Sequence, residues 1–193
     1  MVLRYPVHRP LSHAIETPPV GNTKCMEAMQ EAVDREIDAY AHGHDRPLRA
    51  YAGAIAVYTG LVGAGVALGR WRGIRLPQRI HAGDLALVAV ATHRLSRLIS
   101  KDSVTSVVRA PFTRYEEPAG AGEVNEEVRG SGLRHAAGEL VSCPFCLDQW
   151  VATAFVGGLV AAPRATRVVA SVFTTVALAD VLQFAYAALQ KSE

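Results

Sequence analysis

Ala50-Tyr51-Ala52-Gly53-Ala54-Ile55-Ala56-Val57-Tyr58-Thr59-Gly60-Leu61-Val62-Gly63-Ala64-Gly65-Val66-Ala67-Leu68-Gly69 runs for 20 positions without a charged side chain. At 1.5 Å per residue, a helix of that length is about 30 Å long, the thickness of a bilayer's hydrocarbon core. Its glycines would weaken a helix in water. In lipid they are tolerated, because the backbone has no better way to satisfy its polar groups than to stay helical. Ala56, Gly60 and Ala64 fall on one face at four-residue steps, and Gly65 and Gly69 repeat the step. Small residues in that pattern let a second helix approach closely, either a neighbouring span, another membrane protein or a second copy of the chain. Tyr51 and Trp71 bracket the stretch where amphipathic rings suit the interfaces. The stretch therefore predicts a membrane-spanning helix at residues 50–69, and with it an all-α fold.

Downstream, Arg70, Arg72, Arg75 and Arg79 fill a short loop with Gly73 and Pro77, and a less pure apolar segment follows at residues 80–99. Asp84 lies one turn into it, and His93, Arg94 and Arg97 lie in its last two turns. Arg97 can snorkel to the interface, whereas Arg94 is deeper and needs a partner or a polar cavity. Residues 100–140 read as a polar loop with one short helix, capped by Asp102 or Ser103 and stopped by Pro111. Within it, residues 115–132 are rich in Glu, Gly and Pro and read as an exposed flexible loop. Its acids, Glu116, Glu117, Glu123, Glu126 and Glu127, are expected in solvent. A third span is expected at residues 141–162, its helix beginning before Trp150 and carrying Cys143, Cys146 and Asp148 near the interface. Residues 163–167 read as a tight turn, and residues 168–189 as a fourth span interrupted by Asp180.

Upstream, residues 1–22 carry Pro6, Pro10, Pro18 and Pro19 with no apolar period, and read as a disordered tail in which His8 and His13 are solvated. They lack a signal-peptide pattern, so the first span is expected to serve as its own insertion signal. In residues 23–46, Met26, Met29, Val33, Ile37 and Tyr40 recur at spacings of three and four among acids, which predicts an amphipathic juxtamembrane helix. Thr23 is its expected cap and Gly43 its stop. His42-Gly43-His44-Asp45 at its exit resembles a metal-binding run only superficially. The expected architecture is a small transmembrane helical bundle of about four spans with an N-terminal amphipathic helix.

Composition agrees with that reading. The chain has 193 residues, half of them apolar, and a mean hydropathy of +0.14. A net charge of +2, with the basic residues scattered among acids, gives no footprint for nucleic acid. Arg outnumbers Lys 17 to 3, as in GC-rich bacterial genomes. Three cysteines do not build a disulfide framework, and Cys25 stands alone. No cofactor is implied.

The motif that draws attention is Cys143-Pro144-Phe145-Cys146, followed by Trp150. The spacing puts both sulfurs near one face of a helix start, where the proline costs nothing. Four readings stay open: a structural thiol pair, a redox dithiol, half of a metal site completed by His135, His93 or Asp148, and a lipid-modified cysteine. Zinc wants four ligands, so no metal site is assigned. Trp150 reads as an interface anchor.

With alternating spans, the second and fourth run parallel. Arg94 lies about 21 Å and Asp180 about 18 Å from the starts of their segments, so an Arg94–Asp180 pair is expected inside the bundle, with His93 or Arg97 as alternative partners. Asp102 is expected as a cap, and Arg109 as a partner of lipid headgroups or of Glu139. The total of basic residues near span ends favours both termini and the motif loop in the cytoplasm. The four arginines of the loop after the first span favour the reverse.

Thr92-His93-Arg94-Leu95-Ser96-Arg97-Leu98-Ile99, Asp102-Ser103-Val104-Thr105, Arg109-Ala110-Pro111-Phe112, and Gly138-Glu139-Leu140 with Cys143-Pro144-Phe145-Cys146 and Trp150, taken in that order, resemble the DUF1360 family of uncharacterised bacterial membrane proteins. The resemblance covers residues 83–189. It implies an integral membrane protein, for some members a link to sporulation, and no assigned activity. Asp148 stands where the resemblance implies a small residue, often glycine. The candidate polar face is accordingly His93, Arg94, Arg97, Asp102, Thr105, Arg109, Glu139, Trp150 and Asp180. The expected role is a structural or interaction component of the bacterial cell membrane, with the lipid bilayer as its first partner. The alternative is a membrane thiol–disulfide oxidoreductase using Cys143 and Cys146. It lacks the second cysteine pair that an electron relay needs.

Overall fold

A computed structural model describes residues 22–42 and 47–191 of the chain. The expected tail with His8 and His13, the stop at Gly43 and the His44-Asp45 run lie outside the described residues. The chain divides into two compact units, residues 1–46 and 47–193. In the first, α1 spans Asn22–Ala41, and its Met26, Met29, Val33 and Tyr40 side chains are exposed.

The second unit opens with α2, Leu48–Trp71. It ends in a Schellman-type turn: the Ile74 N–H bonds to the Gly69 carbonyl at 2.9 Å and the Gly73 N–H to that of Arg70 at 3.0 Å. Gly73 takes φ +69°, a conformation costly for any residue with a Cβ. Helix α3 is Ala82–Ser100. A 3-10 turn, Ser103–Thr105, and the short α4, Ser106–Arg109, follow it. Next come β1, Thr113–Pro118, and β2, Val124–Val128, then α5, Gly132–Ser142, α6, Pro144–Ala161, and α7, Pro163–Gln190.

Two prolines set the last boundaries. Pro144 pushes Cys143 into extended backbone, which separates α5 from α6, and then occupies the first turn of α6. The third apolar segment is thus α6, which begins six residues before Trp150 and carries Cys146 and Asp148 near its start with Cys143 as its cap, while α5 before it is a separate helix. Pro163 likewise occupies the first turn of its helix, so residues 163–167 begin α7 and the connection shrinks to one residue, Ala162.

The fold is mostly helical but not all-α. Residues 115–132 are expected as a flexible loop, but residues 113–128 form an antiparallel hairpin with Thr113 opposite Val128 and Pro118 opposite Val124. Gly120 and Gly122, at φ +152° and +80°, turn the chain between the strands. The hairpin is tied to the end of α3 by Val124 N–H to the Lys101 carbonyl and Ser103 N–H to that of Gly122, both 2.9 Å.

Helices α2, α6 and α7 are each long and apolar enough to cross a membrane, and little of their surface is buried within the protein. Helix α3, with four ionisable residues besides its apolar ones, is not among them. It is nevertheless the packing centre: Val88 and Ala91 meet Val151, Phe155 and Leu159 of α6 and Ala170 of α7. Helices α3 and α7 run in the same direction. Asp84 bonds Arg167 at 2.8 Å, the Thr174 hydroxyl bonds the Leu87 carbonyl at 2.9 Å, and Arg94 pairs with Asp180 at 3.0 Å. Helix α2 meets α6 where the Tyr58 and Thr153 hydroxyls bond at 2.7 Å.

Gly138 is where α5 crosses the hairpin. A Cβ there would lie 2.5 Å from Val128 Cγ1 and 2.9 Å from the Phe112 carbonyl oxygen, which is backbone and cannot rotate away. Gly138→Ala should therefore cost about 1–3 kcal/mol, read as a lowered thermal midpoint of the detergent-purified chain. Gly63→Ala, whose Cβ would meet nothing within 4 Å, should leave that midpoint unchanged or raise it.

Candidate functional site

An α-helix ends with four carbonyls that its own turns cannot satisfy, and its C-terminus carries partial negative charge. The end of α3 meets this need with a buried cation from outside the helix. Arg109, in α4, is fully buried, and its Nη1 donates to the Ile99 carbonyl at 2.6 Å and to Thr105 Oγ1 at 2.8 Å. Its Nη2 reaches the Asp102 carbonyl and Ser106 Oγ, each at 3.1 Å. The fork formed by Nε and Nη2 grips the carboxylate of Glu126 on β2 at 2.8 and 2.9 Å. All five guanidinium donors are used, the condition under which such a charge is tolerable in a dry site.

Glu126 is 5% exposed at its side chain. Burial pushes its carboxyl pKa up, but hydrogen bonds from Arg109, Thr113 and Ser106, with the charge of Arg109, outweigh that and hold it below its ordinary value of 4.5. The sequence reading of Glu126 as solvated, and of Arg109 as a partner for headgroups or Glu139, is corrected by this pair. The β2 alternation held the signal: Val124, Glu126 and Val128 fall on one face of a strand.

Two further arginines complete the cluster. Arg94 lies between two carboxylates, with Nη2 3.1 Å from Asp102 and Nε 3.0 Å from Asp180. The second contact is an ion pair whose angle is not that of a hydrogen bond. Arg97 grips Glu123, just before β2, through Nε at 3.0 Å and Nη2 at 2.5 Å. The Thr105 hydroxyl sits over the α3 end, 2.9 Å from the Asp102 carbonyl. Arg94, Arg97, Asp102, Thr105, Arg109 and Asp180 are thus brought together, joined by Glu123, Glu126 and Thr113, which the sequence reading left out.

The other candidates lie elsewhere. Glu139 accepts a short hydrogen bond from the Tyr51 hydroxyl and sits 3.5 Å from His135 Nε2, so it ties α5 to α2. Trp150 packs edge-on against Tyr58, centroids 5.1 Å apart. His93 is exposed and lines a cleft of about 580 Å³ between α3 and α6 with Thr92, Phe145 and Asp148. The Thr92 hydroxyl and one Asp148 carboxylate oxygen are buried there without a hydrogen-bond partner. Cys143 and Cys146 are free thiols, and the Cys143 sulfur accepts the Cys146 N–H at 3.4 Å as the cap of α6. Among the described residues no three His, Cys, Asp or Glu side chains are grouped to hold a metal, and His135 faces Glu139.

Chemically, the cluster is a set of ion pairs that join separate elements, with the guanidinium of Arg109 fully saturated. Arg109–Glu126 and Arg97–Glu123 fasten the hairpin to α4 and α3, and Arg94 joins α3 to both Asp102 and α7.

Residues 87–186 match the family described as "Protein of unknown function (DUF1360)". Over 76 residues the chain is 32% identical to the "Sporulation protein YjcA" of Bacillus subtilis (strain 168), a match covering 38% of this chain and 64% of that protein. The chain therefore spans a little under two thirds of that relative's length. No solved structure matches.

Arg109→Met leaves Glu126 buried and unpaired, which should cost about 3–5 kcal/mol, read as a lowered thermal midpoint and as lost hydrogen-exchange protection across residues 101–128. Adding Glu126→Leu should recover more than half of that loss. The pH dependence has a fixed sign. A carboxyl whose folded pKa is depressed contributes stability that is fully present above its ordinary pKa, and loses it as pH falls through the lowered value. The wild-type chain should therefore lose thermal stability below about pH 4.5, the ordinary value for this carboxyl, and Glu126→Gln should flatten that acid limb while lowering the plateau.

Proposed function

This chain belongs to the DUF1360 family, and on that premise we propose that it is a four-span integral membrane protein whose charged cap, built from the end of α3, the hairpin and α5, is an interaction platform. The observation that carries the reading is the alignment of α3 with α7. From Asp84–Arg167 to Arg94–Asp180 the two helices lie side by side, so α3 shares the depth of an apolar helix of 28 residues. Its own 19 residues give about 28 Å, enough to cross. Its charges, which keep its hydropathy down, are supplied with partners inside the protein, the condition for ionisable groups at that depth.

Helix α1 would then lie along the membrane surface, and the small-residue face of α2, with Ala56, Gly60 and Ala64, is a surface for a membrane-protein partner or a second copy. We place the cap and both termini in the cytoplasm, from the total of basic residues on that side. The relative's name places it in sporulation, and the corresponding role here is a structural one in the membrane of a cell undergoing that programme. The oxidoreductase alternative gains no support: Cys143 caps a helix, and among the described residues the remaining thiol, Cys25, is in the other unit.

The test is the side on which two positions emerge. Four spans put Arg75 and Cys146 on opposite faces, whereas a chain in which α3 does not cross puts them on the same face. In intact cells, a membrane-impermeant maleimide should label an Arg75→Cys variant lacking the native cysteines, and should label Cys146 as the only cysteine only after permeabilisation. Labelling of both from one side would remove the fourth span.

A further inference from the structure

Beyond the point where Tyr58 meets Thr153, a cleft of about 1210 Å³ opens between α2 and α6. Its walls are apolar, Leu61, Val62 and Val66 on one side and Val156 and Val160 on the other, with glycines at 65, 69 and 157. Its two ends differ. One is lined by the Tyr58 ring and Trp150, packed edge to face, with the Tyr58 hydroxyl held by the Gln149 amide at 2.7 Å. The other is rimmed by Arg70, Arg72 and Arg75, brought over the mouth by the Gly73 turn.

None of the guanidinium groups of these arginines has a hydrogen-bonding or ion-pairing partner among the described residues, in contrast to those of Arg94, Arg97, Arg109 and Arg167, all of which are paired. From Tyr58 to Arg70 is about 18 Å along the helix, close to the roughly 15 Å of one leaflet's hydrocarbon. An apolar slot one leaflet deep with a cationic rim matches an amphiphile with a long hydrocarbon chain and an anionic head.

We propose that the α2–α6 cleft is a binding site for an anionic glycerophospholipid, an acyl chain lying between the helices and the phosphate held by Arg70, Arg72 and Arg75. Basic pockets between membrane helices recognise anionic headgroups in this way. The glycines keep the slot open: a Cβ at Gly65, Gly69 or Gly157 would meet nothing within 4 Å, so the space beside them is free for a ligand. The inference rests on the membrane reading above and goes further, because it names what occupies one particular face.

The experiment uses the full chain, first tested for retention in membranes washed with alkaline carbonate. It is then purified in mild detergent and mixed with equal amounts of phosphatidylglycerol and phosphatidylcholine, and bound lipid is read by native mass spectrometry. The wild type should carry one phosphatidylglycerol in roughly tenfold or greater excess over phosphatidylcholine. Arg70→Gln/Arg72→Gln/Arg75→Gln should bring the two lipids to near equality. Gly65→Leu/Gly157→Leu fills the slot with good helix formers and should remove the adduct of either lipid while leaving carbonate retention unchanged. Release of the wild type by carbonate overturns the membrane reading and the site together. Retention with equal adducts of both lipids, with a phosphatidylglycerol adduct that survives both sets of substitutions, or with a lipid-free dimer, overturns the site alone.

Discussion

A charge taken out of water has to be answered by another charge or by backbone dipoles. That constraint organises the packed helices around α3. Asp84 holds the start of α7, Arg94 holds the far part of α7 together with Asp102 before the 3-10 turn, and Arg97 holds the hairpin. Apolar side chains gain little by leaving lipid for a protein interior. The Val88–Phe155–Leu159 core therefore adds close packing, while the ion pairs specify which helix lies against which and at what height.

The cap solves a second problem, the bare carbonyls at the end of a helix. A glycine or a surface lysine often suffices. Here the solution is a fully buried Arg109 held against Glu126. Ion pairs of this kind contribute little net stability but cost a great deal when half of one is removed. What they provide here is a fixed junction between α3, α4 and the hairpin.

The helices were legible because lipid imposes long apolar runs that no other solvent requires, and α2 carried that signal from Ala50 to Gly69. The Arg94–Asp180 pair was legible for a related reason: depth along a helix is a linear count, so equal depths predict neighbours. The same count applies to Asp84 and Arg167, but starting the last helix at Val168 rather than at Pro163 placed Arg167 in a turn and hid it. The hairpin was hidden by composition. Glu-rich, Gly-rich stretches are usually solvated, and only the placement of Val124 and Val128 around Glu126 distinguishes a strand that buries one face. Tertiary contacts, above all an arginine that needs five acceptors, decided which reading held.

One residue, Ala162, separates α6 from α7, and Thr166 packs so closely on Gly158 that a methyl there would collide with its hydroxyl. So short a link ties α6 and α7 into one helical hairpin, and α3 packs on both of them. The Asp84–Arg167 and Arg94–Asp180 pairs therefore clasp a two-helix unit rather than a single rod, because whatever anchors α7 also fixes the start of its neighbour one residue away.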